Sequence, residues 1–313
     1  MNTPADANAI TRNRSSTDIT SMPRLPQLPE AWAQEIYDMV EERERKLAAP
    51  NLLRAEYELG TASSPDEIFE ARRSDEVGCL FTAEHATSPV RAATGSRDYP
   101  DAGTGGLVAL LAENYGTGLI MRGDQTSNAA TDPEHPIKPR IARYLAAATG
   151  YVSVHGMAPG KFMARSDTTE IQASIGLGAD PTDHQREFAE KIVKLGRDMF
   201  GLYVVIGNDG DYFVQKPNST ELKRNQDGTP YRNRLAALKP NMTVNFARRQ
   251  LSEAGRQVPV VQIELTKLLR LTPSDTDNRD PVSRIIGVAL GYRLLEEVAK
   301  LALGEIEDPV KQA

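Results

Sequence analysis

The chain is poor in cysteine, histidine and tryptophan, and it carries neither a long apolar run nor an excess of basic charge. Its 313 residues include one cysteine, Cys79. A lone cysteine excludes an internal disulfide framework. Within "VGCLFTA" it reads as a small apolar strand residue, and the sequence fits a reducing compartment. No apolar run reaches the ~18–20 residues of a membrane span, so a soluble protein is expected. Lys and Arg total 37 against 43 Asp and Glu, giving a formal net charge of −6. That balance argues against a nucleic-acid-binding surface, which needs a basic face. No G-x-S-x-G elbow occurs, which removes the main support for a serine hydrolase of that type. "GTGG" and "GLG" complete neither a G-x-G-x-x-G fingerprint nor a P-loop, and these glycines are expected to serve turns. The polar opening segment lacks a continuous apolar core, so no secretory signal is expected and the cytoplasm is the predicted compartment.

What is there reads as alternating strands and helices. Residues 1–28 are rich in Ser, Thr, Asn and Pro without period and are expected to be a disordered leader; 29–313 are expected to form a single α/β domain. Trp32, Ile36, Val40 and Leu47 recur at helical spacing and predict a helix over 30–48, ended by Pro50. "SPDEIFEARR" reads as a second short helix with Pro65 in its first turn. Strands are predicted over 77–83, 118–121, 151–155, 171–178, 202–208 and 258–265. Helices are predicted over 103–116, over 182–200 with a Thr182/Gln185 capping box, and over 281–303. Such alternation predicts an α/β layer fold with a mixed, largely parallel central sheet flanked by helices. Residues 209–242, dense in turn formers and charges, read as an excursion beside the sheet.

Four histidines, at 85, 135, 155 and 184, are few enough for their places to matter. His85 follows one predicted strand by two residues. His155 closes "YVSVH" before Gly156, which is expected to leave room beside the ring, and Glu264 lies near the end of "VPVVQIEL". Ligands gather at the carboxyl ends of strands in open α/β sheets, and two imidazoles with a carboxylate make a common catalytic zinc set. A single strand-end histidine or glutamate is usually structural; it is their coincidence at matching places that points to a shared site. His135 and His184 read as structural or exposed residues.

The ordered segments "LFTAEHATSPV", "DAGTGGLVALLAENYG", "YVSVHG", "IGLGAD" and "VPVVQIELTKLLR" together resemble the N-formylglutamate amidohydrolase family, and more distantly the zinc-dependent poly-γ-glutamate hydrolases. The resemblance spans roughly residues 77–271. It implies a zinc carboxypeptidase-like, or phosphorylase/hydrolase-like, α/β fold with one Zn2+ ion. It also implies His85, Asp101 and His155 as ligands, with Glu264 as general base. Glu84 competes with Asp101 for the third ligand position. The family has arginines suited to substrate carboxylates where this chain has Asn128 and His135 in "SNAATDPEHP", with Asp132 retained. A neutral amide cannot form a charged fork with a carboxylate, so a different acid grip is expected. Arg270 and Arg122, with Asp132 and Asn128, are the candidate substrate-binding residues, and Arg140 and Arg143 are further replacements for the missing arginines. The implied activity is cleavage of a C–N amide bond in an N-acyl amino acid or γ-glutamyl-type compound by zinc-activated water. The partner would then be a small acidic or N-acyl substrate, with no nucleic acid or membrane. The alternatives are a non-catalytic binding or scaffold protein, or a biosynthetic enzyme acting on a modified amino acid.

Overall fold

The computed structural model describes residues 28–48, 64–73, 78–90, 94–98, 100–157, 161–164, 169–210, 212–215, 221–222, 224, 228, 235–271 and 279–305. Of the leader expected over 1–28, residues 1–27 lie outside them. In chain order the elements are α1 (Glu30–Ala48), β1 (Ile68–Arg72), β2 (Cys79–Ala83), α2 (Thr104–Tyr115), β3 (Gly116–Met121) and α3 (Ile137–Leu145). There follow β4 (Gly150–Gly156), β5 (Lys161–Ala164), β6 (Ala173–Gly176), α4 (Asp183–Phe200), β7 (Val204–Ile206), β8 (Tyr212–Gln215), α5 (Thr243–Glu253), β9 (Val260–Leu265) and α6 (Pro281–Leu303). Seven strands form one mixed, mostly parallel sheet in the order β1-β3-β2-β4-β9-β6-β7, and β5 pairs with β8 in a separate ribbon. Strands β3, β2, β4 and β9 run parallel to one another, whereas β1 and β6 run antiparallel to their inner neighbours. Four consecutive strands therefore end on one edge, and the loops that follow them share it.

Side-chain alternation divides the sheet into two faces. Cys79, Phe81, Ala83, Val152, Val154, Val261, Ile263 and Leu265 pack with residues of α1, α2, α4 and α6. Leu80, Leu119, Met121, Tyr151 and Val260 face α3 and α5 through Ile137, Ile141, Val244 and Leu251. Each fully buried aliphatic side chain contributes about 1.5–3 kcal/mol, so both layers are held chiefly by this burial. Helix α4 begins with the expected capping box, Thr182 and Gln185 each satisfying the other's backbone N–H. Helix α6 begins with Asp280 accepting from Ser283 N–H and has Pro in its first turn.

Three local expectations are corrected. The segment read as a helix from Pro65 is the edge strand β1, antiparallel to β3. Asp66 takes a left-handed backbone (φ 55) and its carboxylate accepts from Thr126 N–H, so the chain turns before a helix can start; pairing with β3 then outweighs helix propensity. Helices α3 and α5 were not anticipated. The glycines of "GTGG" do more than turn the chain: a Cβ on Gly106 would lie 2.5 Å from Val40 O, so its bare Cα lets α1 approach α2 closely. That approach inserts Glu44, whose carboxylate accepts from the N–H groups of Gly103 and Gly106 at the start of α2. A buried carboxylate there satisfies donors that a helix N-terminus leaves open.

Candidate metal centre

His85 stands just past β2, His155 near the end of β4, and Glu264 beside His155 in register across β4 and β9. Asp101 arrives from the loop between β2 and α2, folded back so that its N–H donates to His85 O at 2.7 Å. Thr104 Oγ1 donates to Asp101 O at 2.7 Å and Arg270 Nη1 donates to Ala102 O at 2.7 Å, which pins that loop from two sides. Gln125, on the loop after β3, donates to Glu84 O and Thr87 O and accepts from Ala129 N–H, tying the two loops together.

One donor atom from each of His85, Asp101 and His155 lies within 4.8 Å of the others. Asp101 Oδ2 is 3.3 Å from His155 Nδ1 and 3.6 Å from His85 Nδ1. The two rings stand edge to face with centroids 4.7 Å apart. Zinc bonds of ~2.0–2.2 Å in a tetrahedral shell put neighbouring donors about 3.3–3.6 Å apart, which matches this spacing. Asp101 Oδ2 is also buried and faces the two imidazole Nδ1 atoms. The far nitrogens of both rings are engaged elsewhere. His85 Nε2 lies 3.1 Å from Asn128 Oδ1, an atom that also accepts from the N–H groups of Ala130 and Thr131 and is thereby fixed as oxygen. Nε2 of His85 must therefore carry the proton, leaving the Nδ1 lone pair for a ligand. His155 Nε2 lies 2.9 Å from Ser153 Oγ and 3.3 Å from Glu84 Oε2. The donor set and its outward hydrogen bonds fit one divalent ion of the zinc type.

Electrostatics agree with this geometry. Burial opposes charge on His155, but the carboxylates of Glu84, Asp101 and Glu264 more than offset it and raise the imidazole well above its ordinary pKa. Burial would raise the Asp101 and Glu84 carboxyls, yet the neighbouring imidazoles hold both well below the usual carboxylate range. Glu264 behaves differently. Burial pushes it up to about 7, with the Asp101 charge adding to the effect while His155, His85 and the Gln262 amide oppose it. Gln262 Nε2 donates to Glu264 Oε1 at 2.7 Å and so orients the carboxyl.

The structure thus brings His85, Asp101, His155 and Glu264 together. Glu84 lies on the opposite side of the His155 ring from Asp101 and outside the three-residue cluster. Arg270 is buried beneath the site, and a Cβ on Gly156 would lie 2.5 Å from its Cζ, so the guanidinium occupies the room expected beside the His155 ring. Asn128 holds His85. Arg122 Nη1 lies 3.4 Å from Glu67 Oε1 and Asp132 Oδ1 accepts from Glu134 N–H, so these two are engaged outside the cluster. Arg140 pairs with Glu70 and Arg143 lies over the Tyr144 ring, both away from the cluster. His135 is buried against Asp66, and His184 is exposed. Sequence reasoning missed Ser153, Thr82, Tyr151 and Gln125. For Thr82 and Ser153 the signal was a polar residue in an otherwise apolar strand; Gln125 lies on a loop and had none.

No family model matches the chain, and no curated protein matches it in sequence. Among solved structures it is similar to an N-formylglutamate amidohydrolase from Ralstonia eutropha JMP134, at 11% identity and a TM-score of 0.41, covering 77% of this chain and 100% of that one. It is similar to bovine thrombin-activatable fibrinolysis inhibitor in complex with tick carboxypeptidase inhibitor, at 9% identity and a TM-score of 0.39, over 88% of this chain and 97% of that one. It is also similar to a metallo-carboxypeptidase from Pseudomonas aeruginosa, at 10% identity and a TM-score of 0.34, over 85% and 69% of the two chains. These are likenesses of fold at most, and none assigns an activity to this chain.

Proposed function

We propose that the protein is a zinc-dependent amidohydrolase that cleaves a C–N bond of an N-acyl amino acid or γ-glutamyl-type compound. The observation that carries the reading is the convergence of two imidazole Nδ1 atoms on the buried Asp101 Oδ2, with Glu264 in register beside His155. His85, Asp101 and His155 would hold one ion, which would supply Lewis acidity to polarise a carbonyl and lower the pKa of water toward neutrality. Glu264 is the general base: its carboxylate accepts the proton of the attacking water and returns it to the leaving nitrogen. In the metal-free protein burial holds the carboxyl up to about 7; beside a bound cation it would be ionised and able to accept that proton. Gln262 keeps one oxygen of Glu264 fixed, leaving the other for that exchange. The N-acyl substrate class rests on the resemblance of residues 77–271 to the N-formylglutamate amidohydrolases, and Arg270, whose guanidinium packs against Gly156 next to His155, would face an acidic group or oxyanion. With a net charge of −6, small-molecule rather than nucleic-acid partners are favoured. Among the described residues no helix is long and apolar enough to cross a membrane. The lone, buried Cys79 suits the cytoplasm.

The test is elemental analysis of purified protein, followed by a screen of N-formyl, N-acyl and γ-glutamyl amino acids. Glu264→Gln should retain zinc and lose ~10²–10⁴ in kcat on whichever substrate is found. Protein without zinc overturns the site; zinc-loaded protein that turns over no amide overturns the reaction.

A further inference from the structure

Glu84 is a carboxylate with no solvent exposure, enclosed between the sheet and the α3/α5 layer. Burying an isolated carboxylate costs several kcal/mol, so a reason for its presence is needed. Hydroxyl groups surround it, those of Thr82, Tyr151, Ser153 and Thr243. Thr82 Oγ1 donates to Oε1 at 2.9 Å, Tyr151 OH to Oε1 at 3.0 Å, and Ser153 Oγ lies 3.0 Å from both oxygens. Ser153 Oγ is at the same time 2.9 Å from His155 Nε2. A hydroxyl has one proton and two lone pairs. With its proton directed to the carboxylate, Ser153 offers a lone pair to the imidazole N–H, and Glu84 Oε2 at 3.3 Å is a second acceptor for that N–H.

We infer that Glu84, acting through Ser153, is a positioning residue for the metal site: the pair fixes the His155 ring in the tautomer that carries its proton on Nε2 and aims the Nδ1 lone pair at Asp101. The inference rests on the metal-site reading above and deepens it. Hydrogen bonds of this kind orient a ligating imidazole and raise its basicity. The two ligand histidines are then unequal. His85 is held by the neutral amide of Asn128, whereas His155 is backed by a full negative charge. The strand pattern explains how this is built: Thr82, Tyr151, Ser153 and His155 share one sheet face, and Glu84 turns in from the end of β2 to meet them.

Four proteins test this: wild type, Glu84→Gln, Ser153→Ala and Thr82→Val. Thr82→Val removes a donor to Glu84 without touching His155. Zinc affinity is measured by chelator competition, the cobalt(II) absorption spectrum of each loaded protein reports the ligand field, and the melting temperature of each metal-free protein reports folding. Glu84→Gln and Ser153→Ala should each weaken zinc by about 10–100-fold and shift the cobalt bands. Thr82→Val should leave both nearly unchanged, whatever it does to melting. A Glu84→Gln protein that binds zinc as tightly as wild type overturns the inference alone, as does a loss of affinity that follows melting temperature across all three variants. Cobalt bands showing one protein ligand fewer in Glu84→Gln also overturn it, since Glu84 would then be a ligand. Wild type that binds no zinc removes the site reading and this inference with it. If Glu84→Gln does not fold, Ser153→Ala carries the test, and unchanged affinity there overturns the relay.

Discussion

Loading the site with zinc should release protons in a number that changes with pH. In the metal-free protein His155 is cationic, because Glu84 and Asp101 raise its pKa well above the ordinary value despite its burial. Its Nδ1 must lose that proton before it can ligate. Below the raised His155 value, each zinc bound therefore expels one proton from this ring, and apparent affinity climbs tenfold per pH unit, about 1.4 kcal/mol. Glu264 adds a second contribution. Burial holds it up to about 7 in the metal-free protein, so below that pH it carries a proton that a nearby cation drives off. The slope of log affinity against pH should thus be near one in the alkaline part of the His155 titration and steepen toward two below about 7. In Glu264→Gln the steeper part should vanish and the shallower part remain. Calorimetry in buffers of different ionisation enthalpy counts the protons directly, and chelator competition between pH 6 and 9 gives the slope. A flat affinity profile with no proton release across this range would refute the reasoning, because it would mean that His155 is neutral before loading. The same shifts set the stability of the metal-free protein. Folded His155 and folded Glu264 both bind protons more tightly than their unfolded counterparts, so both contributions are present at low pH and fade as pH rises through their raised values. Melting temperature without zinc should fall between pH 6 and 9, and the stabilisation by zinc should grow over the same interval.

His85→Ala and His155→Ala should each lose most bound zinc, read by elemental analysis, while circular dichroism stays native, since the two apolar layers hold the fold without an ion. Asp101→Asn should weaken zinc binding more than Glu84→Gln does, because it removes charge from the oxygen that faces both Nδ1 atoms; the reverse order would make Glu84 the ligand. Glu44→Ala strands the N–H groups of Gly103 and Gly106, and should cost about 1–3 kcal/mol for each that stays unsatisfied, seen as a melting temperature several degrees lower.

The central strands β2, β4 and β9 were legible because short runs rich in apolar and β-branched residues, bounded by turn residues, have few other readings. Helix α1 announced itself by the spacing of its apolar residues and the stop at Pro50, and α4 by its capping box. Strand β1 did not, because "IFEAR" has ordinary helix formers and owes its extended state to the free edge of β3. Helix α5 hid because only Val244, Ala247 and Leu251 mark its buried side among polar residues, next to a loop of similar composition. Three of the four residues at the site could be read from strand ends alone. Asp101 could not, since it lies sixteen positions after His85 and its place depends on a loop folded back through Asp101 N–H to His85 O.

The polar residues of the inner strands carry a signal of a different kind. Thr82, Ser153 with His155, and Gln262 with Glu264 fall at alternate positions, a pattern that in isolation describes strands with one face in water. Every one of these side chains is buried, between strands that have helices on both faces. The alternation marks which sheet face the polar groups share and says nothing of what covers it. A buried hydroxyl or amide costs about 1–3 kcal/mol if left without a partner, so a row of them inside parallel strands persists only where they satisfy one another or converge on a charge. Here Thr82, Tyr151 and Ser153 converge on Glu84, and Gln262 on Glu264. Polar residues at alternate positions in the central parallel strands, rather than the histidines alone, are thus the part of this sequence that shows on which side of the sheet its chemistry lies.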